Sequence, residues 1–219
     1  MRRLRLTPRR VAILLAATVG VSAGVAYAAT LSVTSWHLWA GSQTLTKSTC
    51  TLQPSTTDTY VTQAAPGGSN GSAATMLVRS NTNGQDWTFV YFDLSSCAIP
   101  TTGGADTATL TLFITSAPGT SRTITVTPVL TSWTNSLTWT AAQSLSYGSA
   151  TTTFTTGTTN NTAKSATVTV DVDALIKNPS ASFGWRLSDT GSGNATTTFA
   201  SSNNGTANRR PQLVINYEK

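Results

Sequence analysis

The sequence predicts an all-β protein, a jelly-roll β-sandwich of two antiparallel sheets behind an N-terminal signal peptide. Three observations carry that expectation. Apolar and polar residues alternate with period two through most of the chain, which puts one face of each strand in a core and the other in water. Threonine fills 44 of the 219 positions, and it combines high β-propensity with no charge. Charged residues make up only 10% of the chain and Glu218 is the sole glutamate, so the composition of long amphipathic helices is missing.

The first 28 residues read as a secretory signal. Five arginines fall within residues 1–10, an apolar or small-residue run covers 11–25, and Ala26-Tyr27-Ala28 supplies an A-x-A cleavage site. The run is too short and too rich in Ala and Gly for a comfortable membrane span. A secreted, extracellular product without a stable membrane span in its mature form is expected. Setting those five arginines aside leaves nine basic residues against eight acidic ones. A near-neutral body excludes a nucleic-acid partner held by a basic patch.

Residues 29–55 form an N-terminal extension that carries Trp36, His37 and Trp39 but no turn signals. The sandwich domain is expected over residues 56–219. Within it, residues 75–79 place Met76 and Val78 on one face. Residues 87–94 alternate Phe89 and Tyr91 against Val90, Phe92 and Leu94. Residues 108–115 turn Leu110, Leu112 and Ile114 inward, and residues 123–129 do the same with Ile124 and Val126. A strand over 166–172 sets Val168, Val170 and Val172 against Thr167, Thr169 and Asp171. Strands at 182–188 and 211–217 close the set. Asn70-Gly71, Asn83-Gly84, Pro118-Gly119 and Asn204-Gly205 are the turns between runs. The threonine-rich stretch 151–159 reads as a strand edge running into a loop. Residues 173–177 form a helical turn ended by Asn178-Pro179. Regular strand and turn spacing over this length favours the jelly roll.

Export makes a disulfide the default for the two cysteines, Cys50 and Cys97. A reactive thiol would need a histidine in the folded body, and the single His37 lies in the extension. One histidine and two cysteines exclude a His/Cys zinc cluster or a haem, so no metal and no cofactor is expected. Glycoside hydrolysis needs two carboxyls facing across a sugar. The closest sequence pair, Asp171 and Asp173, shares one face of the expected strand and reads as a capped strand-to-helix corner. Asp93 reads as a local backbone partner at a strand end. No G-x-S-x-G, H-E-x-x-H or phosphate loop occurs, and the chain is read as a non-enzyme.

Eight short segments resemble, in order, those of the DNRLRE domain, a group that overlaps carbohydrate-binding module family 96. They are Asp58-Thr59-Tyr60-Val61, Tyr91-Phe92-Asp93-Leu94-Ser95 and Ala108-Thr109-Leu110-Thr111-Leu112-Phe113, followed by Ser132-Trp133-Thr134 with Leu137-Thr138-Trp139. Val170-Asp171-Val172 with Ala174-Leu175-Ile176, then Phe183-Gly184-Trp185-Arg186-Leu187, continue the series. Phe199-Ala200-Ser201 and the run from Arg210-Pro211-Gln212 to Tyr217 end it. The resemblance spans residues 56–218. It implies a secreted jelly roll that binds polysaccharide. The family's L-R-F-D-L strand has Tyr91 at its arginine position here, so a contact built on that guanidinium does not carry over.

Sugar rings stack their C–H faces on aromatic side chains, while hydroxyls and carboxylates seek polar partners such as arginine. Trp133, Trp139 and Trp185 sit at apolar pattern positions and are assigned to the core. Trp87, between Asp86 and Thr88, is the candidate platform. Tyr91, Phe113, Arg79 and Arg186 lie on the outward sides of their strands and, if those strands are neighbours, form an aromatic and basic face suited to an acidic, uronate-containing glycan. The expected protein is a monomeric, secreted polysaccharide-binding module. A structural or adhesive surface protein with the same fold and no sugar site stays open, distinguished by a purely threonine-covered face. Ice binding is a third reading, prompted by T-x-T at Thr109/Thr111, Thr123/Thr125/Thr127 and Thr167/Thr169, although sheet twist works against the flat array it needs. An unrecognised enzyme is the fourth.

Overall fold

A computed structural model describes residues 46–80, 84–180 and 182–219. The expected signal segment 1–28 and the part of the extension that holds Trp36, His37 and Trp39 lie outside the described residues. In chain order the strands are β1 (Lys47–Leu52), β2 (Thr57–Thr62), β3 (Thr75–Ser80), β4 (Asp86–Tyr91), β5 (Ala105–Ser116) and β6 (Thr123–Pro128). A short helix α1 (Trp139–Ala142) precedes β7 (Thr152–Thr155) and β8 (Thr162–Thr167). Helix α2 (Thr169–Lys177) is followed by β9 (Trp185–Asp189), β10 (Ala195–Ala200) and β11 (Gln212–Glu218).

These elements form one curled antiparallel sheet in the order β1-β11-β5-β10-β3-β4-β9-β6-β7, with β2 added to β4 and β8 to β5. The 12-residue β5 binds the arrangement together. It pairs with β11 along its first half, with β8 on its other edge, and with β10 near Ile114 and Ser116. Strands β3 and β4 share one ladder pair, Arg79 with Asp86, and the Thr88 hydroxyl adds a 2.9 Å bond to the Leu77 carbonyl. The inward rows then share one core: Leu110, Leu112 and Ile114 of β5 with Leu213 and Ile215 of β11, and Ile124 and Val126 of β6 with Trp185 and Leu187 of β9. The alternation read from the sequence is what puts them there.

Several elements depart from that reading, among them β1, α2 and the end of β4, and helix α1 was not expected. Residues 47–52, assigned to the extension, are strand β1, in register with β11 from Lys47 opposite Glu218 to Leu52 opposite Leu213. Its inward row has only Ser48, Cys50 and Leu52, so hydrophobic alternation was too weak to mark it. Cys50 of β1 is bonded to Cys97, with Cα atoms 5.7 Å apart.

The expected strand over 166–172 stops at Thr167, and Thr169 begins α2. Val168, Val172, Leu175 and Ile176 are buried while Val170 is 74% exposed. The spacing i, i+4, i+7, i+8 is a helix face, and it overrides the β-branched alternation. Asp171 and Asp173 therefore share no strand face, and neither caps α2, whose N-cap is Val168 without a side-chain bond. Asp171 Oδ2 accepts 2.6 Å bonds from Trp185 Nε1 and from Thr151 Oγ1, and Asp173 Oδ1 accepts from the Ala105 amide at 2.6 Å. Asn178-Pro179 ends the helix where expected.

Strand β4 ends at Tyr91, before the expected Leu94. Asp93 takes over as a local cap, accepting from the Ser95 amide and hydroxyl, both at 2.9 Å, to start a single 3₁₀ turn. Phe89, assigned to the outer face, is fully buried along with Val90. The outer face of β4 is covered by a second apolar cluster, in which Val61, Phe89 and Val129 pack with Leu137, Trp139 and Ala142. The segment carrying α1 folds back over the sheet to build it.

Asp58 ties β2 to the loop after β10. Its carboxylate accepts from Ser55 Oγ, from the Ser202 amide at 2.7 Å and from Ser202 Oγ at 3.0 Å. Burial pushes its carboxyl above the ordinary value of 3.8, against those bonds, which pull it down. A carboxyl raised in the folded state favours folding most below its unfolded value, and that contribution is lost as pH rises through the folded one. Asp58→Asn should therefore flatten the fall in stability from about pH 4 toward neutrality. Urea unfolding at a series of pH values measures it, and parallel profiles for variant and parent would refute the assignment.

Candidate ligand-binding face

The expected site residues fall into three places. Register sets the first. On β4, Trp87, Phe89 and Tyr91 point outward; Phe89 lies opposite Arg186 of β9, and Arg186 lies opposite Thr127 of β6. The Arg186 guanidinium sits 4.6 Å from the centre of the Trp87 ring and 4.1 Å from that of Tyr147, a cation held against two π faces. Its Nε is buried without a hydrogen-bond partner. Trp87 stacks in turn on buried Trp139 at 4.4 Å, and Phe89 on Trp133 at 5.6 Å. Burial pushes the Tyr147 hydroxyl above its usual range, with Arg186 pulling the other way. Trp87, Tyr147 and Arg186 are each half-buried.

Arg79 is committed elsewhere. Its Nε is 3.1 Å from Asp86 Oδ2, and Asp86 is almost wholly buried. Tyr91 lies at the far end of β4, against the loop that carries Cys97. Phe113 belongs to the other part of the sheet, where Arg209 covers its ring at 4.8 Å. The single mixed face expected from all five residues is thus resolved into the Trp87–Arg186 cluster, Arg79 paired with Asp86, Tyr91 at the far end of β4, and Phe113 apart.

The remaining aromatic and basic residues sort by the same geometry. Trp139 and Trp185 are in cores as expected, and Trp133 is half-buried with its Nε1 donating to the Phe183 carbonyl at 2.7 Å. Arg122 is fully engaged: Nε donates to Asp189 at 2.6 Å, Nη2 to Ser80 Oγ at 2.7 Å and Nη1 to the Ser192 carbonyl at 2.8 Å. Tyr147 and Arg209 escaped the sequence reading. Tyr147 reaches the sheet through an isolated bridge to Val129 across the intervening loop, for which no local pattern exists. Among the described residues, no three His, Cys, Asp or Glu side chains gather to hold a metal ion, and no helix is long and apolar enough to cross a membrane.

An all-β domain with an arginine–aromatic stack on an outer face has the build of a binding module. A sequence profile of carbohydrate-binding module family 96 matches residues 48–217, and the chain belongs to that family. Carbohydrate-binding modules are non-catalytic binding domains. No curated protein matches the chain. Among solved structures, one similar chain is the N-terminal endo-1,4-β-D-xylanase 10B of Clostridium thermocellum, its CBM22-1–GH10 modules complexed with xylohexaose. It is 10% identical with a TM-score of 0.25, over 66% of this chain and 24% of that one.

Proposed function

We propose that this chain is a secreted, non-catalytic and monomeric polysaccharide-binding module. Residues 1–28 act as its export signal, and a jelly-roll sandwich presents the Trp87–Arg186–Tyr147 cluster to acidic glycans. The stacked guanidinium is the observation that carries the reading. An arginine packed against two rings has already lost much of its rotational freedom, so less entropy is lost when it meets a carboxylate or hydroxyl. Trp87, which carries the guanidinium and packs on Trp139, leaves the rest of its half-exposed ring beside it for an apolar edge of a sugar.

Retention on an immobilised polyuronate tests this. Arg186→Ala should weaken retention about tenfold or more, the size of a lost charge-assisted hydrogen bond. Trp87→Ala should weaken it too, and Phe113→Ala should leave it unchanged. Salt should shorten retention, because screening acts on exposed ion pairs over about 8 Å at physiological strength. Retention that ignores salt and survives Arg186→Ala would refute the acidic preference.

A second reading, an adhesive or structural protein, draws on the opposite part of the sheet. There Thr51, Val214, Thr109 and Thr167 stand in one cross-strand row, with Gln212, Thr111 and Ser165 in a neighbouring row. No charge interrupts either row. Absence of retention on any polysaccharide would favour this reading.

A further inference from the structure

A cavity of about 220 Å³ opens between the end of β4, the turn after it and the C-terminal half of α2. Buried Leu175 and Ile176 form its floor, with half-buried Leu94 and Ile99 as walls. The polar groups gather at its mouth, where Asp93, Ser95 and Thr101 are exposed. Tyr91 stands between the two zones. Burial and the neighbouring Asp93 charge push its hydroxyl above the usual range, so it stays a neutral donor and acceptor. Cys97 lies in the wall, which pins this loop to β1 through the disulfide.

This combination selects a ligand. The cavity is smaller than the roughly 300–1,000 Å³ of sites for drug-sized molecules, so it suits one ring and its substituent, not an oligomer. Its floor is aliphatic and offers no hydrogen bond, which favours an apolar substituent there. The Asp93 carboxylate accepts one bond at each oxygen from Ser95, leaving lone pairs free for sugar hydroxyls. The same negative charge repels a uronate.

We infer that this cavity is a second sugar site, which takes a single neutral terminal ring through a buried methyl or acetyl group. The inference rests on the polysaccharide-binding reading but uses none of the residues of the Trp87–Arg186 cluster. Tyr91 and Asp93 contact the ring hydroxyls, and Leu94, Ile99, Leu175 and Ile176 enclose the substituent.

NMR titration of the full folded domain tests it, with free hexoses, their O-acetyl esters and the matching uronic acids as probes. An ester should bind at least about fourfold more tightly than its parent hexose, the effect of one buried methyl-sized group. The uronic acid should bind most weakly. Thr101→Trp, at the exposed mouth, and Leu94→Asp, in the wall, should each abolish ester binding while leaving polyuronate retention unchanged. Esters that bind no better than their parents, or that bind both variants as well as the parent protein, would overturn the site. A protein retained on polyuronate that binds no ester overturns the cavity alone. Ester binding without retention on any polymer supports the cavity and refutes the Trp87–Arg186 face.

Discussion

Trp185→Ala should destabilise the protein by about 3–5 kcal/mol, the range for removing a buried aromatic side chain. Trp185 is 2% exposed, and it joins β9 to the main core. Its indole also donates one of the two bonds that Asp171 Oδ2 accepts, so truncation leaves a buried carboxylate with Thr151 as its remaining side-chain donor. A buried acceptor deprived of a donor loses roughly another 1–3 kcal/mol. Against a typical total of about 5–15 kcal/mol, the variant should be unfolded or close to it at room temperature. Trp185→Phe helps separate the contributions, since it keeps most of the bulk while removing the indole N–H and part of the ring. It should fall between the parent and Trp185→Ala in urea unfolding. A Trp185→Ala protein within 1 kcal/mol of the parent, roughly the noise of such measurements, would show that this ring is not part of the core.

Removing the disulfide should have a comparable effect. Cys50 and Cys97 are 47 residues apart, and closing a loop of that length restricts the unfolded chain by about 4 kcal/mol. Cys50→Ser/Cys97→Ser, or the reduced parent, should lose close to that amount in denaturant unfolding. The damage should be uneven. The bond holds β1 and the loop after β4, so sugar-ester binding at the Tyr91 cavity should disappear first. Where the domain still folds, polyuronate retention at Arg186 should persist, because Trp87, Tyr147 and Arg186 stand on elements the disulfide does not touch. Equal stability of the double variant and the parent would refute the loop-closure account.

Much of this protein is written locally. Leu110, Leu112 and Ile114 alternating with threonines determine that β5 is a strand with one buried face, because a pleated strand turns successive side chains to opposite sides. The same rule identified the inward rows of β3 and β6. The Cys50–Cys97 pair was legible from the number of cysteines and the expected export. Tertiary structure decided the rest. Val168 to Val172 carries strand alternation and helix spacing at once, and packing of Val172 and Ile176 in the core selects the helix. Phe89 looked outward, and so it is, but the α1 segment covers that face and buries it. Arg186 was expected on an outward strand face, and only the tertiary structure brings Trp87 and Tyr147, from distant parts of the chain, against its guanidinium. Periodicity reports which way a side chain points relative to its own strand. What it meets there depends on which segments the sheet and its covering loops bring alongside, and no local pattern encodes that.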